Sequence, residues 1–167
     1  MKTHQDILLL GDPRLYEVCA PVLPEEFSLV AGWVSDLGSA MRSVRSVYGF
    51  GRAIAAPQLG IMKRIIYMEI DKPLVFINPT LDCLSEEMFE VWDDCMSFPH
   101  LLVKLRRHKR ITIRYVDENG ASQSLDLEDD LSELLQHEYD HLEGVLCTMR
   151  AIDERSFRYR RLRGLAR

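Results

Sequence analysis

Apolar residues recur at helical spacing in residues 25–48. They lie three or four positions apart, which places them on one face of a helix. The apolar positions are Phe27, Val30, Val34, Leu37, Met41 and Val44. Pro24 just before this stretch and Gly49 just after it are typical of helix boundaries. The pattern predicts an N-terminal helix.

A second helical pattern begins near Asp130. Asp130 and Glu133, three residues apart, resemble a capping box at the start of a helix. The apolar side of this helix consists of Leu131, Leu134, Leu135, Leu142 and Val145. Gly144 lies near its predicted end.

The chain between the two helices has the composition of short strands. The β-like segments are residues 64–70, 74–77 and 86–92. Residues 110–116 alternate in polarity, residues 117–120 form a turn, and residues 121–127 return as the partner strand. The predicted fold class is α+β, with short antiparallel strands packed around the second helix and with an N-terminal helix.

The composition fits one domain with its own core. The chain has 167 residues, of which 47% are hydrophobic, so we expect a single domain over residues 1–167. No apolar run is long enough to span a bilayer, and the first residues lack the features of a secretory signal. The four cysteines form no CxxC pair, which favours a reducing compartment. We expect a cytoplasmic protein with no membrane partner.

Charge is distributed unevenly along the chain. The net charge is −5, yet residues 151–167 form a basic tail with six arginines and two acidic residues. We expect this tail to be an Arg-rich C-terminal helix. Its arginines either contact nucleic-acid phosphates or simply form a solvated helix face.

The pentapeptide His137-Glu138-Tyr139-Asp140-His141 lies within the second predicted helix. Residues four apart share a helix face, so its two imidazoles can bind one metal ion beside a glutamate that acts as general base. The motif predicts metal-assisted hydrolysis. Two surface histidines with chance spacing are the alternative.

A catalytic centre of this kind needs a third protein ligand and one open position. Cys147 occupies the last position of the extended pattern H-E-x-x-H-x-x-G-x-x-H, and Glu154 is a downstream carboxylate in the basic tail. His100 and His108 lie near predicted strand ends, and Cys95 lies in a polar turn after a strand-like segment. A buried, inert cysteine is the alternative for Cys95. The residues alone leave the third ligand open.

Three segments resemble the motifs of peptide deformylases, in the same order and spacing. Residues 51–58 (GRAIAAPQ) resemble the G-x-G-x-A-A-P-Q box, and residues 93–97 (DDCMS) resemble the E-G-C-L-S box. Residues 136–141 (QHEYDH) resemble the Q-H-E-x-D-H box. The resemblance extends over about residues 7–150.

The resemblance implies an enzyme that removes the formyl group from the N-terminal methionine of nascent proteins. The implied metal ligands are Cys95, His137 and His141. The ion is usually Fe²⁺ in this family, and Zn²⁺, Ni²⁺ or Co²⁺ can replace it. Glu138 would be the general base, and Gln58 with the backbone N–H of Met96 would bind the oxyanion. The basic tail would contact the ribosome, where such an enzyme meets its substrate.

The chain departs from the family pattern near the expected substrate. The implied substrate-binding residues are Gly51, Arg52, Ala53, Ile54 and Asp94. Arg52 replaces an apolar residue, whereas Ala53 and Asp94 each replace a glycine. The methyl of Ala53 would narrow the groove, or shift its loop if that glycine has a positive φ. We hypothesise that Arg52 and Asp94 face each other across the groove, or that Arg52 reaches the peptide; solvent-facing side chains are the alternative.

One further substitution, one further residue role and three alternative functions follow from the pattern. Asp93 replaces a glutamate that pairs with an arginine, predicted to be Arg107, and Asp140 could hold a ligand imidazole. Another zinc peptidase would use the two motif histidines with Cys147 or Glu154. An N-acyl-peptide hydrolase of altered specificity or a non-catalytic binding module would retain the fold, although a module has no need of a base.

Overall fold

The computed structural model describes residues 1–160. Within these residues, one long helix precedes a series of strands and a second helix follows most of them. In chain order the elements are α1 (Phe27–Tyr48), β1 (Ala53–Ala55), β2 (Ile65–Glu69), β3 (Pro73–Asp82), β4 (Met88–Asp94), β5 (Leu101–His108), β6 (Arg110–Val116), β7 (Ser122–Glu128), α2 (Asp129–Leu142) and β8 (Phe157–Tyr159). The predicted α+β class is confirmed.

The strands form two antiparallel sheets. Five strands pair in the order β1-β2-β3-β6-β7, and three pair in the order β4-β5-β8. Strands β1 and β4 are therefore edge strands of different sheets. The predicted hairpin is confirmed, since Arg110 pairs with Glu128 and Val116 with Ser122 around the turn at residues 117–120. Strands β1, β5 and β8 have no counterpart among the predicted segments.

Helix α1 covers one face of the five-stranded sheet. It ends at Tyr48 because Gly49 adopts a left-handed conformation with a φ of 77°. Its buried apolar side chains share one core cluster with residues of β1, β2 and β3. The members of this cluster include Val30, Leu37, Met41 and Val44 of α1 and Ile54, Ile65, Tyr67, Val75 and Ile77 of the sheet. The predicted apolar face is thus the face that packs.

Helix α2 packs against strands of both sheets, among them β1, β5 and β7. Leu134, Leu135 and Leu142 join the core of the five-stranded sheet. The helix begins at Asp129, and no side chain caps its first turn, so the predicted capping box is wrong. The carboxylate of Asp130 binds Arg52 instead.

The chain leaves α2 through Gly144, whose φ is 68°. A Cβ at this position would lie 2.6 Å from the backbone of Tyr16, so glycine permits the N-terminal segment to pack against the helix end. The backbone N–H of Cys19 donates to the carbonyl of Leu142 at 2.9 Å. This contact fixes the end of the helix that carries the histidines.

The predicted Arg-rich C-terminal helix is wrong over residues 151–160. These residues form turns and strand β8, which pairs antiparallel with β5. The rest of the predicted helix, residues 161–167, lies outside the described part of the chain. No helix within residues 1–160 is long and apolar enough to cross a membrane. A single domain over residues 1–167 stays a prediction.

Candidate active site

Cys95, His137 and His141 converge from two elements. Cys95 directly follows β4, whereas both histidines lie on one face of α2. His141 Nε2 lies 3.3 Å from Cys95 Sγ and 3.2 Å from His137 Nε2. All three side chains are buried. The polar turn after β4 thus presents a thiol to the helix face that carries the imidazoles.

These three donor atoms fit a metal ion. Bond lengths of about 2.0–2.3 Å in a tetrahedral site place neighbouring donors about 3.3–3.6 Å apart, close to the observed separations. Two imidazoles and one thiolate suit several first-row divalent ions. Within residues 1–160, His141 Nδ1 is buried without a hydrogen-bond partner. His141 Nε2 lies within 3.3 Å of both the thiol and His137 Nε2, so these three atoms are placed to share one ion.

The other candidates for the third ligand do not join both histidines. Cys147 is buried beside His137 and Asp93, and the donor atoms of these three residues lie within 4.8 Å of one another. In the described part of the chain, three candidates belong to no such cluster: His100, His108 and Glu154. Among the candidates, Cys95 is the one that groups with His137 and His141 together.

A buried ion-pair network connects β4, β5 and α2. Asp93 Oδ1 lies 2.9 Å from His137 Nδ1, and Asp93 Oδ2 lies 2.8 Å from Arg107. Burial alone would raise the pKa of Asp93, but His137 and Arg107 hold it at about 2. The predicted Asp93–Arg107 pair is confirmed.

Asp140 holds arginines rather than an imidazole. Its carboxylate accepts hydrogen bonds from Arg107 at 2.5 Å and from Arg150 at 2.6 and 2.7 Å. The suggestion that Asp140 holds a ligand imidazole is therefore wrong, because Asp93 is the carboxylate beside His137 Nδ1. The sequence did not indicate a role for Arg150, because this residue lies several positions after α2 and belongs to no motif.

Glu138 is buried beside the histidines and borders a cavity. Burial raises the pKa of its carboxyl group to about 7. Its Oε2 atom has no hydrogen-bond partner among the described residues. A carboxyl group with a free oxygen and a pKa near neutrality can accept and release a proton, as a general base does.

Gln58 is held in one orientation at the same end of the cavity. Its Oε1 accepts a hydrogen bond from the backbone N–H of Ala55 at 3.0 Å. Its Nε2 lies 3.2 Å from Ser97 Oγ and 3.6 Å from Cys95 Sγ, so the amide donor faces the thiol. Met96 follows Cys95, and its buried side chain lines the same cavity.

The cavity has a volume of about 600 Å³ and lies between the edge strands β1 and β4 and helix α2. We give the name chemical end to six residues: Gln58, Met96, His137 and Glu138, which line the cavity, and Cys95 and His141, which group with His137. Of the predicted substrate-binding residues, Gly51, Arg52, Ala53 and Asp94 line the cavity. Ile54 does not line it, because its side chain is fully buried in the core beneath α1.

We call Arg52, Asp130 and Glu133 the charged wall of this cavity. Arg52 Nη1 lies 2.5 Å from Asp130 Oδ2, and Nη2 lies 3.8 Å from Glu133 Oε2. The side chain of Glu133 is only 14% exposed, and burial raises its pKa to about 7. Glu133 lies four residues before His137, a helical spacing from which its place on the motif face could have been recognised.

Arg52 and Asp94 line the same cavity, but each has a partner of its own. Arg52 binds the charged wall, whereas the carboxylate of Asp94 binds Arg160, which lies just after β8. Ala53 lies in the extended backbone of β1, and φ at its position is not positive. Its methyl group is buried at the cavity surface.

Comparison with known proteins decides the family. The family model described as polypeptide deformylase matches residues 4–157. A peptide deformylase of Treponema pallidum (strain Nichols) is 34% identical, over 97% of this chain and 99% of the relative. The chain belongs to the peptide deformylase family.

Solved structures of peptide deformylases share the fold. The enzyme from Synechococcus elongatus, in complex with actinonin, superposes with a TM-score of 0.81 at 30% identity, covering 89% of this chain and 79% of that chain. The enzyme from Thermotoga maritima gives a TM-score of 0.79 at 30% identity, covering 88% and 97%. The fold around the chemical end is therefore the fold of the peptide deformylase family.

Family membership defines the reaction. A peptide deformylase is a metal-dependent enzyme that removes the formyl group from the N-termini of nascent proteins. Membership excludes the zinc peptidase of another family and the non-catalytic binding module. Membership does not define the identity of the ion or the roles of individual residues.

Proposed function

We propose that Cys95, His137 and His141 bind one divalent metal ion, and that Glu138 moves the proton during hydrolysis of the formyl amide. The observation that carries this proposal is the convergence of the three donor atoms beside the buried carboxyl group of Glu138. We infer Fe²⁺ as the native ion from the resemblance to the family, with Zn²⁺, Ni²⁺ or Co²⁺ as replacements.

Glu138 performs the proton transfer. Cys95, His137 and His141 would hold the ion, which would supply Lewis acidity and so lower the pKa of the attacking water. Glu138 accepts the proton of the attacking water and delivers it to the amide nitrogen as the C–N bond breaks, so the products are formate and a free N-terminal amine. Asp93 lies beside His137 Nδ1, which orients the ring and leaves Nε2 for the ion.

The side chain of Gln58 and the backbone N–H of Met96 stabilise the oxyanion that forms on the formyl oxygen. Support comes from the fixed amide of Gln58, whose Oε1 is held by Ala55 so that Nε2 faces the chemical end. One preorganised donor of this kind is worth about 10²–10³ in rate.

The peptide lies extended between β1 and β4. Both are edge strands, and an extended peptide can pair with the free backbone of such an edge. We propose that Gly51, Arg52, Ala53 and Asp94 contact the peptide, since all four line the cavity. Ile54 offers only its backbone in β1, because its side chain belongs to the core.

An altered specificity towards N-acyl peptides is the second candidate, and the charged wall favours it. Arg52, Asp130 and Glu133 place three ionisable groups in a cavity whose other lining residues include Val91, Trp92 and Leu134. An apolar peptide side chain against this wall would desolvate charged groups, whereas a polar one would not. The wall therefore favours polar residues close to the formylated terminus.

We place the enzyme in the cytoplasm, with the ribosome as a partner of the basic tail, because formylated nascent chains arise there. Arg158 and Arg160 of this tail pack on Trp92 and Phe50, so they are engaged within the protein. The proposed contact with the ribosome therefore rests on Arg155 and on three arginines outside the described residues, Arg161, Arg163 and Arg167.

The test compares two buried cysteines near His137. The protein is loaded with Fe²⁺ or Ni²⁺ under reducing, low-oxygen conditions, and formate release from formyl-Met-Ala-Ser is measured beside the metal content. Cys95→Ser should lose both the ion and the activity, whereas Cys147→Ser should retain both. A Cys147→Ser protein that loses the ion while Cys95→Ser keeps it would overturn the ligand assignment.

A further inference from the structure

Strand β8 and the residue after it, Arg160, bring the C-terminal segment to residues that line the cavity. Strand β8 pairs with β5 through Leu101 and Tyr159 and through Val103 and Phe157. The backbone N–H of Arg160 then donates to the carbonyl of His100 at 2.7 Å. Backbone hydrogen bonds therefore fix the chain as far as Arg160, which lies beyond the residues 4–157 matched by the family model.

The guanidinium group of Arg160 contacts two walls of the cavity at once. It forms an ion pair with Asp94, which ends β4 just before Cys95, and it lies 4.1 Å from the ring centroid of Phe50. Phe50 belongs to the loop between α1 and β1, just before Gly51. Both Asp94 and Phe50 line the cavity, and the side chain of Arg160 is only 19% exposed.

The contacts of Arg160 affect the cavity in two ways. A cation over the face of an aromatic ring is attracted to it, so the group ties the loop at Phe50 to the end of β4. Arg160 also neutralises Asp94, a carboxylate that is 38% exposed at the cavity surface. The two carboxylates of the charged wall, those of Asp130 and Glu133, have Arg52 as their cation instead.

We propose that Arg160 is a positioning residue that sets the width of the substrate cavity and keeps its Asp94 side neutral, so that it governs which charges the peptide can carry. This inference rests on the proposed function, because it takes the cavity as the binding site for formyl peptides. Without Arg160, the free carboxylate of Asp94 attracts cationic peptides and repels anionic ones.

The experiment measures charge selectivity on the metal-loaded enzyme. Formyl-Met-Lys-Ser, formyl-Met-Ala-Ser and formyl-Met-Asp-Ser are compared for wild type, Arg160→Gln, Arg160→Lys and the double variant Arg160→Gln/Asp94→Asn. Arg155→Gln is the matched control, since it removes the same charge from an exposed arginine of the same segment.

Arg160→Gln should raise KM for the Ala peptide with little change in kcat. It should also increase the ratio of kcat/KM for the Lys peptide over the Asp peptide roughly threefold to tenfold, as expected for one uncompensated charge close to the ligand. Arg160→Lys should keep the wild-type ratio of kcat/KM and the wild-type KM, because it retains the positive charge. The double variant should return the ratio to that of wild type but keep the raised KM of Arg160→Gln. Arg155→Gln should match wild type in both respects.

Binding of the products Met-Lys-Ser and Met-Asp-Ser, measured by calorimetry, separates this inference from the reaction itself. A shifted ratio of dissociation constants in Arg160→Gln supports the role of Arg160 even if no formyl peptide is hydrolysed, and in that case only the proposed function fails. An Arg160→Gln protein with the charge ratios of wild type, in hydrolysis and in binding, overturns the inference, whether or not its stability has changed.

Discussion

The chemical end and the charged wall border the same cavity, but the charged side chains of the two regions differ in their exposure to solvent. Beside the chemical end, Asp93 and Arg107 are only 2% and 3% exposed, and they connect His137 to Asp140. In the charged wall, Arg52 and Asp130 are 40% and 67% exposed. Solvent screens the second pair and hardly reaches the first.

This contrast separates two kinds of residue. A buried charge without its partner is costly, so substitutions behind the chemical end should affect folding as well as catalysis. An exposed pair contributes little to stability, which leaves residues of the charged wall free to change the preferred peptide. Of the departures from the family motifs, Arg52 belongs to the charged wall and Asp94 binds Arg160 at the end of β4, whereas Cys95, His137 and His141 are all retained.

Among these variants, Glu138→Gln should cause the largest loss of activity. The substitution keeps the shape of the side chain but removes the proton acceptor, so turnover of formyl-Met-Ala-Ser should fall about 10²–10⁴-fold. The metal content should equal that of wild type, because the three donors remain. Hydrolysis at the wild-type rate by the metal-loaded variant would contradict the role of Glu138.

Arg107→Met should give the largest loss of stability. It leaves Asp93 and Asp140 buried with less compensation, and breaking a buried pair costs about 3–5 kcal/mol of the free energy of unfolding. Urea denaturation followed by circular dichroism measures the change. Arg114→Ala is the control, because its pair with Asp82 is more than half exposed and is worth about 0–1 kcal/mol. Equal losses in the two variants would contradict the expected difference between buried and exposed ion pairs.

Gln58→Glu tests the oxyanion donor at the chemical end. The new side chain can still accept the hydrogen bond from Ala55, but it no longer offers an N–H group towards Cys95. The value of kcat should fall about 10²–10³-fold, with a smaller change in KM. A loss confined to KM would assign Gln58 to ground-state binding instead.

The chemical end was largely accessible from the sequence, because its residues lie in short motifs. His137 and His141 share a helix face by spacing alone, and Glu138 lies between them. The residues left the third ligand open, and it was the resemblance that implied Cys95. The fold brings Cys95 to the histidines through the end of β4, which no local pattern specifies.

The C-terminal segment shows where sequence patterns fail. Its arginines suggested a helix, yet Phe157–Tyr159 form β8 by pairing with β5, more than fifty positions earlier in the chain. Strand β1 was missed because three residues, all buried, show no alternation. Pairing between distant segments decides both elements, so the contact of Arg160 with Asp94 had no signal in the sequence.

The smallest effect on stability should come from the charged wall. Arg52→Leu should change the free energy of unfolding by less than about 1 kcal/mol, because the pair with Asp130 is exposed. It should still alter selectivity, since the carboxylates of Asp130 and Glu133 lose their cation beside the cavity. We expect kcat/KM for formyl-Met-Asp-Ser to fall roughly threefold to tenfold relative to formyl-Met-Ala-Ser.

Two companion variants sharpen this prediction. Glu133→Gln in the Arg52→Leu background should restore part of the wild-type ranking, because it removes the less exposed of the two carboxylates. Ala53→Gly should leave the charge ranking unchanged and affect only bulky peptides, since it removes a methyl group and no charge. If all three proteins rank the peptides as wild type does, the charged wall lies outside the reach of the bound peptide. Specificity would then depend on the chemical end and the strand edges alone.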